Sequence, residues 1–186
     1  LATRAFYEEV TGFSEYTKNG NHSFFKRKWR GQIPAAIWPG DAKYSELRDE
    51  FGRIVSELNT YMETAEFVLP QSGEGVRFWV ILDNEEAFLR LEPNAEPYLK
   101  DNYGLFWCSW NSVSKIISRC AIHIDTSRAN ELRWQKHLLR EEVTQALGLM
   151  NDSPEYSDSM FYSRFSTPTE FSYKDVWSIY ELYRRE

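Results

Sequence analysis

An α+β domain built on a small mixed sheet is the architecture this sequence predicts. Short runs rich in β-branched and aromatic residues crowd positions 29–125, one long amphipathic helix interrupts them, and positions 126–186 read as helical. The 186 residues fit one domain, 1–186, with residues 1–28 as an N-terminal extension.

A short helix is expected around Ala5–Val10, then a polar loop through Lys18-Asn19-Gly20-Asn21 that also carries His22. Trp29 to Trp38 reads as a strand closed by Pro39-Gly40. Asp41 is placed as the N-cap of a long helix whose apolar face is Leu47, Phe51, Ile54, Leu58 and Tyr61. Glu66–Leu69 and Val76–Leu82 read as two strands around Gln71-Ser72-Gly73-Glu74-Gly75. A short helix follows Asp83, because Glu85 and Glu86 suit the positive end of a helix. Residues 92–103 hold two prolines and read as loop. Gly104–Trp110 and Ser118–Asp125 read as strands, the second alternating Cys120, Ile122 and Ile124 with Ala121, His123 and Asp125.

A helix from Asn130 to Leu149 then presents Leu132, Leu139, Val143, Ala146 and Met150 on one stripe. The opposite stripe carries Trp134, His137, Leu138, Glu141, Gln145 and Gly148, and a solvated helix face would normally carry Lys–Glu pairs instead. Gly148 ends the helix in the left-handed role, and Asn151-Asp152-Ser153-Pro154 reverses the chain. The last helix runs from Tyr173 to Arg184, with Ser172 and Asp175 at capping-box spacing and Val176, Ile179, Tyr180 and Tyr183 as its buried face.

Composition removes several function classes. Hydrophobic residues at 42% exclude general disorder. The net charge of −6 argues against a general nucleic-acid binder, whose affinity comes from cations neutralising phosphates. The one dense basic run, Lys26-Arg27-Lys28-Trp29-Arg30, reads as the solvated start of a strand. The longest apolar run, Phe78–Leu82, is far short of the ~20 residues of a membrane helix, so no integral membrane segment is expected. Gly73-Glu74-Gly75 is a lone hairpin-type turn and not a phosphate loop, and no nucleophile elbow of Gly-x-Ser-x-Gly type is present. Cys108 and Cys120 are too far apart for a metal knuckle. They read either as a cross-strand disulfide of an oxidising compartment or as two buried thiols. The chain begins at Leu1 and is read as a trimmed or mature form.

The stretch from Glu141 to Asp152 (EEVTQALGLMND) resembles the catalytic helix of matrixin-type metzincin proteases, His-Glu-x-x-His-x-x-Gly-x-x-His. Ser159-Met160-Phe161-Tyr162 falls where that family has its Met-turn, and Phe171 to Tyr183 resembles its closing helix. The pattern is also similar to a family of uncharacterised secreted bacterial proteins with Glu-Glu-x-x-Gln-x-x-Gly followed by Asn-Asp-Ser. That second likeness extends upstream to Lys28-Trp29-Arg30-Gly31. The resemblance implies a zincin-like fold, with Met160 as a packing residue beneath the cleft and Gly148 as the helix stop.

The departures set the functional expectation. Glu141, Gln145 and Asn151 stand where the family's zinc-binding histidines are, and only Glu142, at the place of the general base, keeps its identity. Without the metal a lone carboxylate cannot lower the pKa of water to ~7. No metal and no cofactor are therefore expected. His137, one turn before Glu141, reads as a surface or hydrogen-bonded histidine. Glu141 is expected to meet Gln145 on a cleft floor completed by Asn151, Asp152 and Tyr162. The loop aromatics Tyr156, Phe161, Tyr162 and Phe165 either support the loops or bind ligand beside a groove. The expected function is a secreted, periplasmic or envelope-anchored bacterial pseudoenzyme that binds a protein, peptide or glycan. The rivals are a hydrolase using Glu142 as general acid/base, with or without an unconventional metal, and a structural subunit of an envelope assembly.

Overall fold

The structure, a computed structural model, describes residues 2–12 and 25–185; the predicted loop Lys18-Asn19-Gly20-Asn21 and His22 lie outside them. The element order is α1 (Ala2–Gly12), β1 (Gly31–Trp38), α2 (Ser45–Tyr61), β2 (Ala65–Val68), β3 (Phe78–Leu82), α3 (Glu85–Leu91), α4 (Glu96–Leu99), β4 (Gly104–Trp110), β5 (Ile117–Ile124), α5 (Leu132–Gln145) and α6 (Tyr173–Tyr183). This is a mixed α+β fold. Its five strands lie in the order β2-β1-β3-β5-β4, all parallel except β4, which runs antiparallel to β5 at one edge.

The interior strands are apolar on both sides because both sides are covered, as a mostly parallel sheet requires. Cys120, Ile122 and Ile124 point into the main core under the long helices, while Ala121 packs with Ile81, Phe88 and Leu105 in a second cluster beneath α3. His123 is buried beside that second cluster with its ring tilted against Phe88 at 5.7 Å and both nitrogens without a hydrogen-bond partner. Burial holds its pKa below the usual value, so it stays neutral.

Several expectations need correction. β2 and β3 do not form a hairpin around Gly73-Glu74-Gly75, since β1 lies between them and pairs with both in parallel. Residues 2–12 are not an extension: α1 places Phe6, Tyr7 and Val10 in the main core against α6. Asp41 makes no side-chain cap; a short 3-10 turn at Ala42–Tyr44 precedes α2, and Asn84 instead caps α3 by accepting from Ala87 N. The prolines of 92–103 start helical turns, where the missing N–H costs nothing. On α5, Leu132 is exposed, and on α6 Tyr180 is exposed and Val176 half-buried. The capping box at Ser172–Asp175 is present in full.

Two buried polar assemblies fix α5. On its outer side Arg140 is buried between Glu50 (3.3 Å) and Glu57 (2.5 Å) of α2, with Phe171 under the guanidinium at 4.6 Å. At its C-terminal end the Trp29 indole donates to Ala146 O at 3.0 Å, and the Tyr183 hydroxyl donates to Leu147 O at 2.6 Å while accepting from Trp29 N at 3.1 Å. The last carbonyls of a helix have no partners within it, and here the first strand and the last helix supply them.

Candidate functional site

A cleft of about 320 Å3 opens between the start of β4 and the polar face of α5. Trp134, His137, Glu141, Glu142 and Gln145 form its floor, so the stripe that stood out in the sequence does face a groove. Gly104, Leu105 and Phe106 wall one side, and Tyr162 to Ser166 wall the other. The second wall is pinned by Ser153 N to Phe161 O (2.6 Å) and Ser163 N to Ser153 O (3.0 Å), which bring Asp152 and Tyr162 to the rim.

The expected Glu141–Gln145 pair does not form. Glu141 lies 3.4 Å from His137 Nε2, one turn back, and the Gln145 amide donates to Asp152 Oδ1 at 2.7 Å. An imidazolium outcompetes a neutral amide for a carboxylate, and the amide then finds a second carboxylate in the turn that follows. His137 is buried with Nδ1 2.7 Å from Pro168 O. Burial by itself would lower its pKa. Hydrogen bonding and charge from Glu141, with the Pro168 carbonyl and Asp152, outweigh burial and raise it above the usual value. A ring flanked by a carbonyl on one nitrogen and a carboxylate on the other is best satisfied when both nitrogens carry protons.

Glu142 is buried and lines the cleft, lying directly against Gly104 of β4. A Cβ at position 104 would meet Glu142 Oε1 at 2.6 Å and Cγ at 2.9 Å, so the carboxylate lies where any other residue's side chain would begin. Sequence reasoning missed Gly104, whose requirement is spatial; no turn or repeat marks it.

Asn151 is not in the cleft. Its side-chain amide donates to Glu9 O at 3.0 Å and its N–H to Val10 O at 3.2 Å, capping the last turn of α1. Met160 is buried outside the lining, its N–H donating to Asp175 Oδ2 at 3.0 Å. Gly148 has φ +116° and sits against Arg27 O, 1.9 Å from where a Cβ would lie. Cys108 and Cys120 face each other across β4 and β5 with Cα atoms 4.1 Å apart and are disulfide-bonded. The bridge lies behind α5, with Ala146 O within 3.4–3.8 Å of both sulfurs.

The donor set does not suit a metal. Of the three residues in the histidine places, Glu141 turns to His137, Gln145 to Asp152 and Asn151 to α1. Among the described residues no group of three or more His, Cys, Asp or Glu side chains gathers as metal ligands. What the cleft does offer is an aromatic rim. Trp134 packs against Tyr103 at 5.2 Å and Phe165 at 5.1 Å, with Phe165 74% exposed. Of the loop aromatics, Phe161 is buried and Tyr156 packs edge-on to Phe6, so those two support the fold, while Tyr162 and Phe165 face the cleft. β4 ends the sheet, and the backbone of Gly104 and Phe106 has no pairing strand on its outer side among the described residues.

No helix among the described residues is long and apolar enough to cross a membrane. No curated protein matches the chain. Across residues 2–186, from α1 through the cleft to α6, the sequence matches the family described as Protein of unknown function (DUF2927), and the chain belongs to that family.

Proposed function

We propose that this chain is a zincin-like domain without metal chemistry that binds an extended ligand, a peptide or a glycan, in the cleft between β4 and α5. The observation that carries the reading is how the cleft's residues are used. Glu141 and Gln145 are bonded to His137 and Asp152 on the floor, while Tyr103, Trp134 and Phe165 rim an opening beside a strand edge that no strand among the described residues pairs. A strand edge supplies main-chain hydrogen bonds to an extended chain, and flat aromatic faces add contact area at low entropic cost. The likeness to matrixin-type metzincins supports the zincin-like part, through a helix followed by a turn at Gly148 and a buried Met160 held by the Asp175 cap. The Cys108–Cys120 bridge favours an oxidising compartment, hence secretion, the periplasm or an envelope anchor.

The test is a peptide-display and glycan-array screen with the wild type, followed by affinity measurement on Trp134→Ala and Phe165→Ala. Each variant should weaken the selected ligand by ~10-fold or more. Glu142→Gln, which keeps the shape of the floor, should weaken that affinity far less than either aromatic variant. A peptide, ester or glycoside substrate whose turnover disappears in Glu142→Gln would replace this reading with the hydrolase.

A further inference from the structure

The basic run Lys26-Arg27-Lys28-Trp29-Arg30 is not simply a solvated strand start. In an extended chain alternate side chains share a face. Trp29 is buried, and Lys26, Lys28 and Arg30 point together into a cavity of about 460 Å3 remote from the cleft. Arg4 of α1, Lys115 of the β4–β5 turn and Arg184 at the end of α6 line the same cavity. Six cations from four separate segments thus converge in a chain whose net charge is −6.

Only some of that charge is answered. Glu8 is shared by Arg4 at 2.9 Å and Lys26 at 3.3 Å, and Glu181 by Arg4 at 3.2 Å and Arg184 at 3.1 Å. Lys28 donates to Leu182 O at 3.2 Å, and the Lys115 ammonium donates to Ser112 O and stands over the Phe25 ring at 4.3 Å. Neither meets a carboxylate among the described residues, and Arg30 there has no hydrogen-bond or ion-pair partner. Like charges held this close repel unless something negative lies between them. Tyr7 on the wall keeps its proton as a donor, its pKa pushed up to about 12 by burial, with Glu181 and Glu8 adding to the rise.

We propose that this cavity binds a multiply charged phosphoryl group, with Lys28, Arg30 and Lys115 as its principal partners. A planar guanidinium and two ammonium groups, each with three donors, match the oxygens of such a group, by paired and single hydrogen bonds respectively. The volume leaves room for the body that carries the group. The same chemistry can come from a soluble phosphorylated compound or from an anionic lipid headgroup.

Titration calorimetry with inorganic pyrophosphate at low ionic strength tests the site. Saturable binding is expected, weakening as salt is added and falling ~10-fold or more in Arg30→Glu and in Lys115→Gln. Both positions lie outside the core, and thermal unfolding of each variant checks that the fold is kept. Sedimentation with phosphatidylcholine vesicles containing phosphatidic acid separates the sources. Vesicle binding that pyrophosphate releases supports a headgroup; pyrophosphate binding without vesicle binding supports a soluble ligand, and either upholds the site. No saturable pyrophosphate binding, or binding unchanged in both folded variants, overturns it. So does vesicle binding that pyrophosphate cannot displace.

Discussion

Replacing Gly104 with alanine puts a methyl group where the Glu142 carboxylate lies. The new Cβ would stand 2.6 Å from Oε1, 2.9 Å from Cγ and 3.1 Å from Cδ, against 3.4 Å for ordinary contact. The oxygen must retreat by about 0.8 Å, and the Cγ contact means that rotating the carboxylate alone is not enough. Overpacking of this kind costs ~1–3 kcal/mol. The backbone at 104 is not in the left-handed region, so with space available the same change would help a strand by ~0.5–1 kcal/mol. The sign therefore depends on Glu142. In a Glu142→Ala background the substitution should become neutral or stabilising, giving a coupling energy of ~1–3 kcal/mol. In Glu142→Gln, where the shape stays and the charge goes, it should remain costly. Urea unfolding of the single and double variants under oxidising conditions measures all of this. A neutral or stabilising Gly104→Ala with Glu142 intact would refute the contact.

Gly148→Ala should be the more damaging glycine change, at ~3 kcal/mol or more, because it combines φ +116° with a backbone oxygen 1.9 Å from the new Cβ; chemical unfolding should show it. Reducing the Cys108–Cys120 bridge, which closes a sequence separation of 12, should cost about 3 kcal/mol, read as a lower urea midpoint with reductant; two freely alkylated thiols in the native protein would remove the premise. The raised pKa of His137 ties stability to pH: its contribution is full below 6.5 and is lost as pH rises through the folded-state value. The stability gap between the wild type and His137→Gln should accordingly be widest in mild acid and shrink above neutrality; a gap that widens with pH would contradict the charged pair.

What could be read from the residues was what repeats along the chain. The α2 stripe, the Ser172–Asp175 capping box and the polar stripe of α5 follow from local spacing and are present, whereas the helix expected to reach Leu149 ends at Gln145 and Gly148 lies in the turn after it. What failed involved a choice between equally near partners. Glu141 has a neighbour one turn either way, and only the position of Asp152 decides that Gln145 turns elsewhere. β2 and β3 are close in sequence and separate in space, because α2 carries the chain from β1 to a strand on one side of it and the loop after β2 returns the chain to the other side. Tyr103, Trp134 and Phe165 come from three segments with no shared period, so the rim they make is legible only once the chain has folded.

The hydrogen bonds among Trp29, Leu147 and Tyr183 bear on the order in which the domain can assemble. Trp29 and Tyr183 are 154 positions apart, and until α6 arrives Leu147 O lacks the hydroxyl donor that Tyr183 supplies. Contacts of such long range are slow to close and are rewarded late. A nascent chain that has emerged only as far as α5 holds the floor residues and the β4 wall but neither Asp152 nor the wall from Tyr162 to Ser166. Cutting the chain before Ser172 should abolish the site although α6 contributes no residue to its lining. The loop that leads into the groove's second wall is tied to α6 through Ser159 and Met160 on Asp175, so the groove is completed when the last helix docks.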